Sequence, residues 1–112
     1  MKRNKYSNKK TIIDDIKFDS KREAARYTEL KVMEEQGLIK DLVLQPKFVL
    51  IDKYKNGDGK NVRALCYVSD FQYFTDYGVV IEDVKGMKTD VYKLKKKLFE
   101  RFYKPLTITE IY

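Results

Sequence analysis

The sequence predicts an α/β domain in which helices flank a central mixed β-sheet. Three observations carry the prediction. Two stretches space their apolar residues as helices do. The segments between and after them are rich in β-branched and aromatic residues and are punctuated by turn formers. The resulting order (helix, three or four strands, helix, strand) layers helices on a sheet. A chain of 112 residues makes one domain around one core. It shows no internal repeat and no linker long enough to divide it.

"MKRNKYSNKKT", residues 1–11, is basic and polar. It reads as an arm that touches phosphates, ahead of a single domain over residues 12–112. "IIDDIKF" reads as a short strand or a hairpin with its turn at "DD". "DSKREAARYTELKVMEEQG" is the first helix, with Ala24, Tyr27, Leu30 (or Val32) and Met33 on its apolar face. Ser20 is its N-cap, Glu23 stands three residues later, and Gly37 stops it. "LIKDLVLQPKFVLID" is strand material broken by Pro46, a residue of edges and bulges. "KYKNGDGKN" has the residues of a hairpin tip, and "VRALCYVSDFQYF" is the returning strand. After the turn "TDYG" comes the strand "VVIEDVKG". "TDVYKLKKKLFERFY" is the second helix, with Val91, Leu94, Leu98 and Phe102 as its expected apolar stripe. "PLTITEIY" closes as a strand.

Composition narrows the function. Lysine and arginine number 24 against 17 acids, a net charge of +7, which favours a polyanionic partner such as nucleic acid. The single cysteine, Cys66, excludes an internal disulfide and a cysteine-cluster metal site, and reads as a core residue. With no histidine, neither a Ser-His-Asp triad nor a histidine-ligated zinc can form. Any metal must be held by oxygen, which favours Mg²⁺, Mn²⁺ or Ca²⁺. No apolar run approaches the ~20 residues of a membrane span, and no signal peptide opens the chain, so a cytoplasmic protein is expected.

The strand "VVIEDVKG" begins aliphatic and ends charged. Alternation puts Asp83 and Lys85 on the face of Ile81, with Glu82 and Val84 on the other. A tight turn joins this strand to the preceding one, so the two should be antiparallel, with Asp70 near Asp83 across the ladder. Two close carboxylates repel unless something positive lies between them, and a divalent cation does that. Lys85 is placed to orient or help deprotonate a water, or to stabilise charge on a phosphoryl group.

Asp70 followed by "DVK" (Asp83, Val84, Lys85) resembles the PD-(D/E)XK nuclease superfamily, whose signature is an acid, a variable gap, then acid-X-Lys on the second strand of a hairpin. The usual proline before the first acid is replaced by Ser69. Many members add a glutamate on the first helix, and "DSKREA" places Glu23 there. The set "FDSKREAARYTEL", "LQPKF", "YVSDF" and "IEDVKG" before a lysine-rich helix resembles small phage and prophage proteins described as endonucleases or Holliday-junction resolvase-like. The resemblance spans residues 18–103. It implies a restriction-endonuclease-like core and Mg²⁺ (or Mn²⁺) held by Glu23, Asp70, Asp83 and the Val84 carbonyl. It also implies water as the nucleophile with Lys85 assisting, and 5′-phosphate products. DNA, branched DNA by preference, is the implied substrate, a homodimer the implied assembly and a bacterial host cell the implied setting.

Each residue also has a plainer reading. Glu23 completes a capping box, in which case Glu29 is the next helical acid. Asp70 is a strand-end partner of Lys85, or Asp83 and Lys85 are a solvated edge pair. Gln45 contacts either the backbone or the substrate. Gly86 serves a turn or lets backbone approach phosphate. Lys93, Lys96 and Lys97, with Lys88 before them, form either a solvated helix face or a set of DNA contacts. Two other readings stand beside the DNA nuclease: one of a different class, a non-catalytic DNA-binding module of a phage replication or recombination complex, and a nuclease of RNA or single strands.

Overall fold

The computed structural model describes residues 10–86 and 88–112. The expected basic arm falls almost wholly outside them. Strands β1 (Thr11–Ile13) and β2 (Ile16–Phe18) form a hairpin in the register Ile13↔Ile16. Asp14 and Asp15 turn it with φ of 53° and 63°, the left-handed pair that suits a two-residue hairpin loop. Helix α1 (Lys21–Glu35) begins where Ser20 Oγ accepts the Glu23 N–H at 3.1 Å. It buries Ala24, Tyr27 and Leu30, as the spacing required, and leaves Val32 exposed. Gly37 lies just beyond it at φ 78°.

Strands β3 (Lys40–Leu44) and β4 (Lys47–Ile51) are one run broken at Gln45-Pro46. Strands β7 (Leu65–Val68) and β8 (Phe71–Thr75) are one run broken at Ser69-Asp70. The breaks face each other: Gln45 N–H donates to the Asp70 carbonyl at 3.0 Å, and Ser69 N–H to the Pro46 carbonyl at 3.2 Å. One long hairpin therefore bends halfway, with Gln45 at φ 52° on the bend. Its tip is the small ribbon of β5 (Tyr54–Lys55) and β6 (Asn61–Val62).

Beyond the bend, β8 pairs antiparallel with β3 and with β9 (Gly78–Val84). Helix α2 (Asp90–Phe102) then crosses over to β10 (Ile108–Ile111), which runs parallel to β9. The main sheet is thus mixed, in the order β10-β9-β8-β3. Alternate residues of β9 serve two cores. Val80 and Val84 pack with α1, Phe71 and Tyr73, while Ile81 packs with Tyr92 and Phe99 of α2 and with Leu50, Tyr67 and Ile108. The fold is α/β with a mixed sheet and two helices. Among the described residues no helix is long and apolar enough to cross a membrane.

One expectation fails. The stripe Val91, Leu94, Leu98 and Phe102 is not the buried face of α2: Val91, Leu94 and Phe102 are 63%, 56% and 56% exposed. The helix instead buries Tyr92 and Phe99, about a quarter-turn round. Aromatic rings fill the gap above the bent hairpin, where Phe99 stacks on Tyr103 and meets Phe48 edge-on at 4.9 Å.

Candidate active site

The site grows out of the bend. The antiparallel register pairs Phe71 with Glu82, so one step further sets Asp70 opposite Asp83. The Asp70 N–H donates to the Glu82 carbonyl at 3.1 Å, and the Val84 N–H donates to Asp70 Oδ2 at 2.7 Å. That last bond is the contact Val84 makes with the site. Asp83, a buried carboxylate, accepts a hydrogen bond from the Tyr67 hydroxyl on Oδ2. Its Oδ1 lies 3.1 Å from Lys85 Nζ. The ammonium sits 3.5 Å from the centre of the Tyr92 ring, which shields it from water and attracts its charge. Asp83 and Lys85 are therefore neither solvated nor at a free edge, and Lys85 pairs with Asp83 rather than with Asp70.

The acids sense one another. Burial, then the neighbouring Asp83, push Asp70 up to about 8, with Glu23 adding to the effect and the Val84 N–H opposing it. Glu23 is also raised, by burial first and then by Asp19 and Asp83, while Lys85 pulls it down. Glu23, Gln45 and Asp70 line one small cleft of about 110 Å³. Asp83, Lys85, Tyr67, Tyr92 and Lys95 line a second, open depression of about 290 Å³. The acid pair lies between them. Glu29 stands apart, exposed and 3.5 Å from Arg26. Among the described residues no three acidic, cysteine or histidine side chains stand close enough to enclose a cation as they are.

Of the other expected lysines, two are paired. Lys88 and Lys96 lie 2.9 and 3.4 Å from Glu110, while Lys93 and Lys97 are exposed. Burial raises Glu110, but hydrogen bonds with Tyr92, Lys88 and Tyr112 outweigh it and bring the carboxyl down to about 2. Gly86 has room: a Cβ there would meet only Arg22 Nη1, at 3.8 Å. Packing within the chain does not demand glycine at that position.

Sequence reasoning missed the residues that hold the acids in place. Tyr67 and Tyr92 gave no signal, because a tyrosine in a strand or a helix reads as core. Glu82, on the opposite face of the strand, is fully buried and takes both arms of Arg26, at 2.8 Å from Nε and 2.6 Å from Nη2, and the Tyr73 hydroxyl as well. Arg22, one turn earlier on α1, donates to the Lys85 carbonyl. Two arginines of α1 thus fasten the helix carrying Glu23 to the strand carrying Asp83.

A family model with the description "Protein of unknown function (DUF1064)" matches residues 3–112. No curated protein and no solved structure matches the chain.

Proposed function

The chain belongs to the DUF1064 family, and we propose that it is a metal-dependent DNA endonuclease with a restriction-endonuclease-like core. One observation carries the reading: Asp70, at the foot of β8, and Asp83, on β9, oppose each other, with Lys85 held against Asp83. An acid pair of this kind is costly in a protein that only binds DNA, since carboxylates repel phosphate. The pair is costly to the fold as well: burial first, and then Asp83, raise Asp70 to about 8. The main sheet supports the same core: Asp70 immediately precedes β8 and Asp83 lies on β9, the two strands that follow β3 in the series α1, β3, β8, β9, α2, β10.

The donors suit a hard cation. Asp70 and Asp83 offer oxygen ligands, and Glu23 in the adjoining cleft is the third. A bound Mg²⁺ or Mn²⁺ would neutralise the acid pair and the phosphate and make water more acidic. The chain's own groups do the rest. Tyr67 fixes one oxygen of Asp83, leaving the carboxylate a single orientation. Lys85, on a strand end 13% exposed at its side chain, is held beside the site to orient water and to stabilise charge that develops on phosphate oxygens. Gly86, with no packing need for its missing side chain, lets the backbone approach phosphate.

Four-way DNA junctions are the proposed substrate, cut by a homodimer. The test compares Mg²⁺-dependent cleavage of a junction and of linear duplex with the same sequence, for wild type and Asp83→Asn. We expect paired cuts in the junction and loss of at least about 10³-fold in the variant, with DNA binding equal or tighter. Equal cutting of both substrates would discard junction selectivity. Cutting retained in the variant would remove Asp83 from the site, and DNA binding with no cutting would favour the binding module.

A further inference from the structure

The bent hairpin continues well past the site, and its last part serves no packing purpose. Residues 51–61 are all exposed. Apart from each other, β5 and β6 make no substantial contact with any other element among the described residues. The tip is nevertheless well built. Asn56 Oδ1 accepts the N–H groups of Asp58 and Lys60 at 2.9 and 3.0 Å, Asn56 N–H donates to the Lys60 carbonyl at 2.9 Å, and Gly59 takes φ 77°. A free-standing ribbon with an ordered turn is a preformed shape, not slack chain.

Its charges are arranged against its own stability. The pairs Ile51↔Leu65, Tyr54↔Val62 and Lys55↔Asn61 share one register, which sets Lys53 opposite Arg63 on the face of Lys55. Like charges facing each other across a ladder are destabilising. Among the described residues none of Lys53, Lys55, Lys60 and Arg63 is in an ion pair. Cations left unpaired on a preformed ribbon suit a polyanion. A two-stranded ribbon also has the width that the major groove of duplex DNA admits.

We propose that the β5–β6 tip grips the backbone of duplex DNA flanking the acid pair, through Lys53, Lys55 and Arg63. The proposal rests on the reading of the chain as a DNA-acting protein and names how it holds its substrate. Tyr67 touches Asp83, and Asn61 lies six residues further along the same run. At ~3.3 Å per residue the tip stands ~20 Å from the acids. That is ~6 base pairs at 3.4 Å each, so the tip and the acids would contact one duplex arm half a turn apart.

The experiment measures duplex and junction binding against salt concentration in EDTA, so that no cutting intervenes. Wild type is compared with Lys53→Gln/Lys55→Gln/Arg63→Gln, and with a control, Lys31→Gln/Lys40→Gln/Lys104→Gln, that removes equal charge elsewhere. Thermal unfolding of each verifies folding. For the tip variant we expect the slope of log affinity against log salt to become shallower by about 2 to 3, and binding at moderate salt to weaken at least about tenfold. The control should keep the wild-type slope. An unchanged slope in the tip variant overturns the proposal, as does an equal loss in the control, which would reduce the effect to net charge. Wild type that binds no DNA overturns it too. Wild type that binds through the tip but never cuts leaves this inference standing and removes the nuclease reading instead.

Discussion

Asp70 is a carboxyl held where a carboxylate is unwelcome. Its ordinary value is 3.8, and burial and Asp83 raise it to about 8. Between those values the folded protein holds a proton that the unfolded chain has released. The sign follows from linkage: without metal, stability falls as pH rises from about 4 to about 8. Asp70→Asn, which keeps an oxygen for the Val84 N–H, should remove that slope and raise Tm at pH 8.5 by several degrees. Urea unfolding in EDTA at a series of pH values checks it, and an equally steep fall in the variant would exonerate Asp70. A cation that needs the carboxylate must displace the proton. Its apparent affinity should therefore tighten about tenfold per pH unit up to about 8 and then level off. Glu110 works the other way. Lowered from 4.5 to about 2, it adds stability that is present above its unfolded value and lost as pH falls toward about 2, outside the Asp70 window.

Among the elements, α2 separates what a sequence shows from what it hides. Its helical nature, its Thr89 start and its lysines are legible from spacing alone. Its buried side is not, because Val91, Leu94, Leu98 and Phe102 form a more regular apolar series than Tyr92 and Phe99 do. The choice between them was made by the arm of the bent hairpin, a shape set by residues 45–46 and 69–70, far away in sequence. The two phenylalanines three residues apart offer a direct comparison. Phe99 is fully buried, so Phe99→Ala should cost about 3–5 kcal/mol. Phe102 is 56% exposed, so Phe102→Ala should stay within about 0.5 to 1 kcal/mol. Chemical denaturation measures both, and equal costs would place the core of α2 where its stripe lies. In α1, by contrast, Ala24, Tyr27 and Leu30 of the expected face are buried and Met33 partly so, with only the alternative Val32 left exposed, since a helix lying flat on one face of a sheet has no second surface to choose.

For the whole molecule, the order of elements and the mixed sheet followed from the sequence. Alternation and turn chemistry suffice where one run pairs with the next in the chain, as the two arms of the bent hairpin and then β9 do. Alternation also divided the charges of β9 correctly, with Asp83 on the α2 side and Glu82 on the α1 side. The approach of Glu23 to Asp70 was accessible only through family resemblance, because it depends on how α1 lies across the sheet. The bracing by Arg22 and Arg26 gave no warning, since exposed-looking arginines on a helix are ordinary. Ile51 and Leu65 are cross-strand partners, so the chain leaves and re-enters the folded body at a single gate. Replacing residues 52–64 with a two-residue turn should leave Tm within a few degrees of wild type by calorimetry, and a collapse of folding would show that the body needs its tip. Such a gate makes the tip a cartridge. It can be lengthened, shortened or exchanged in descent without disturbing the acids, so the surface the protein presents can be remodelled while the acid pair is inherited intact.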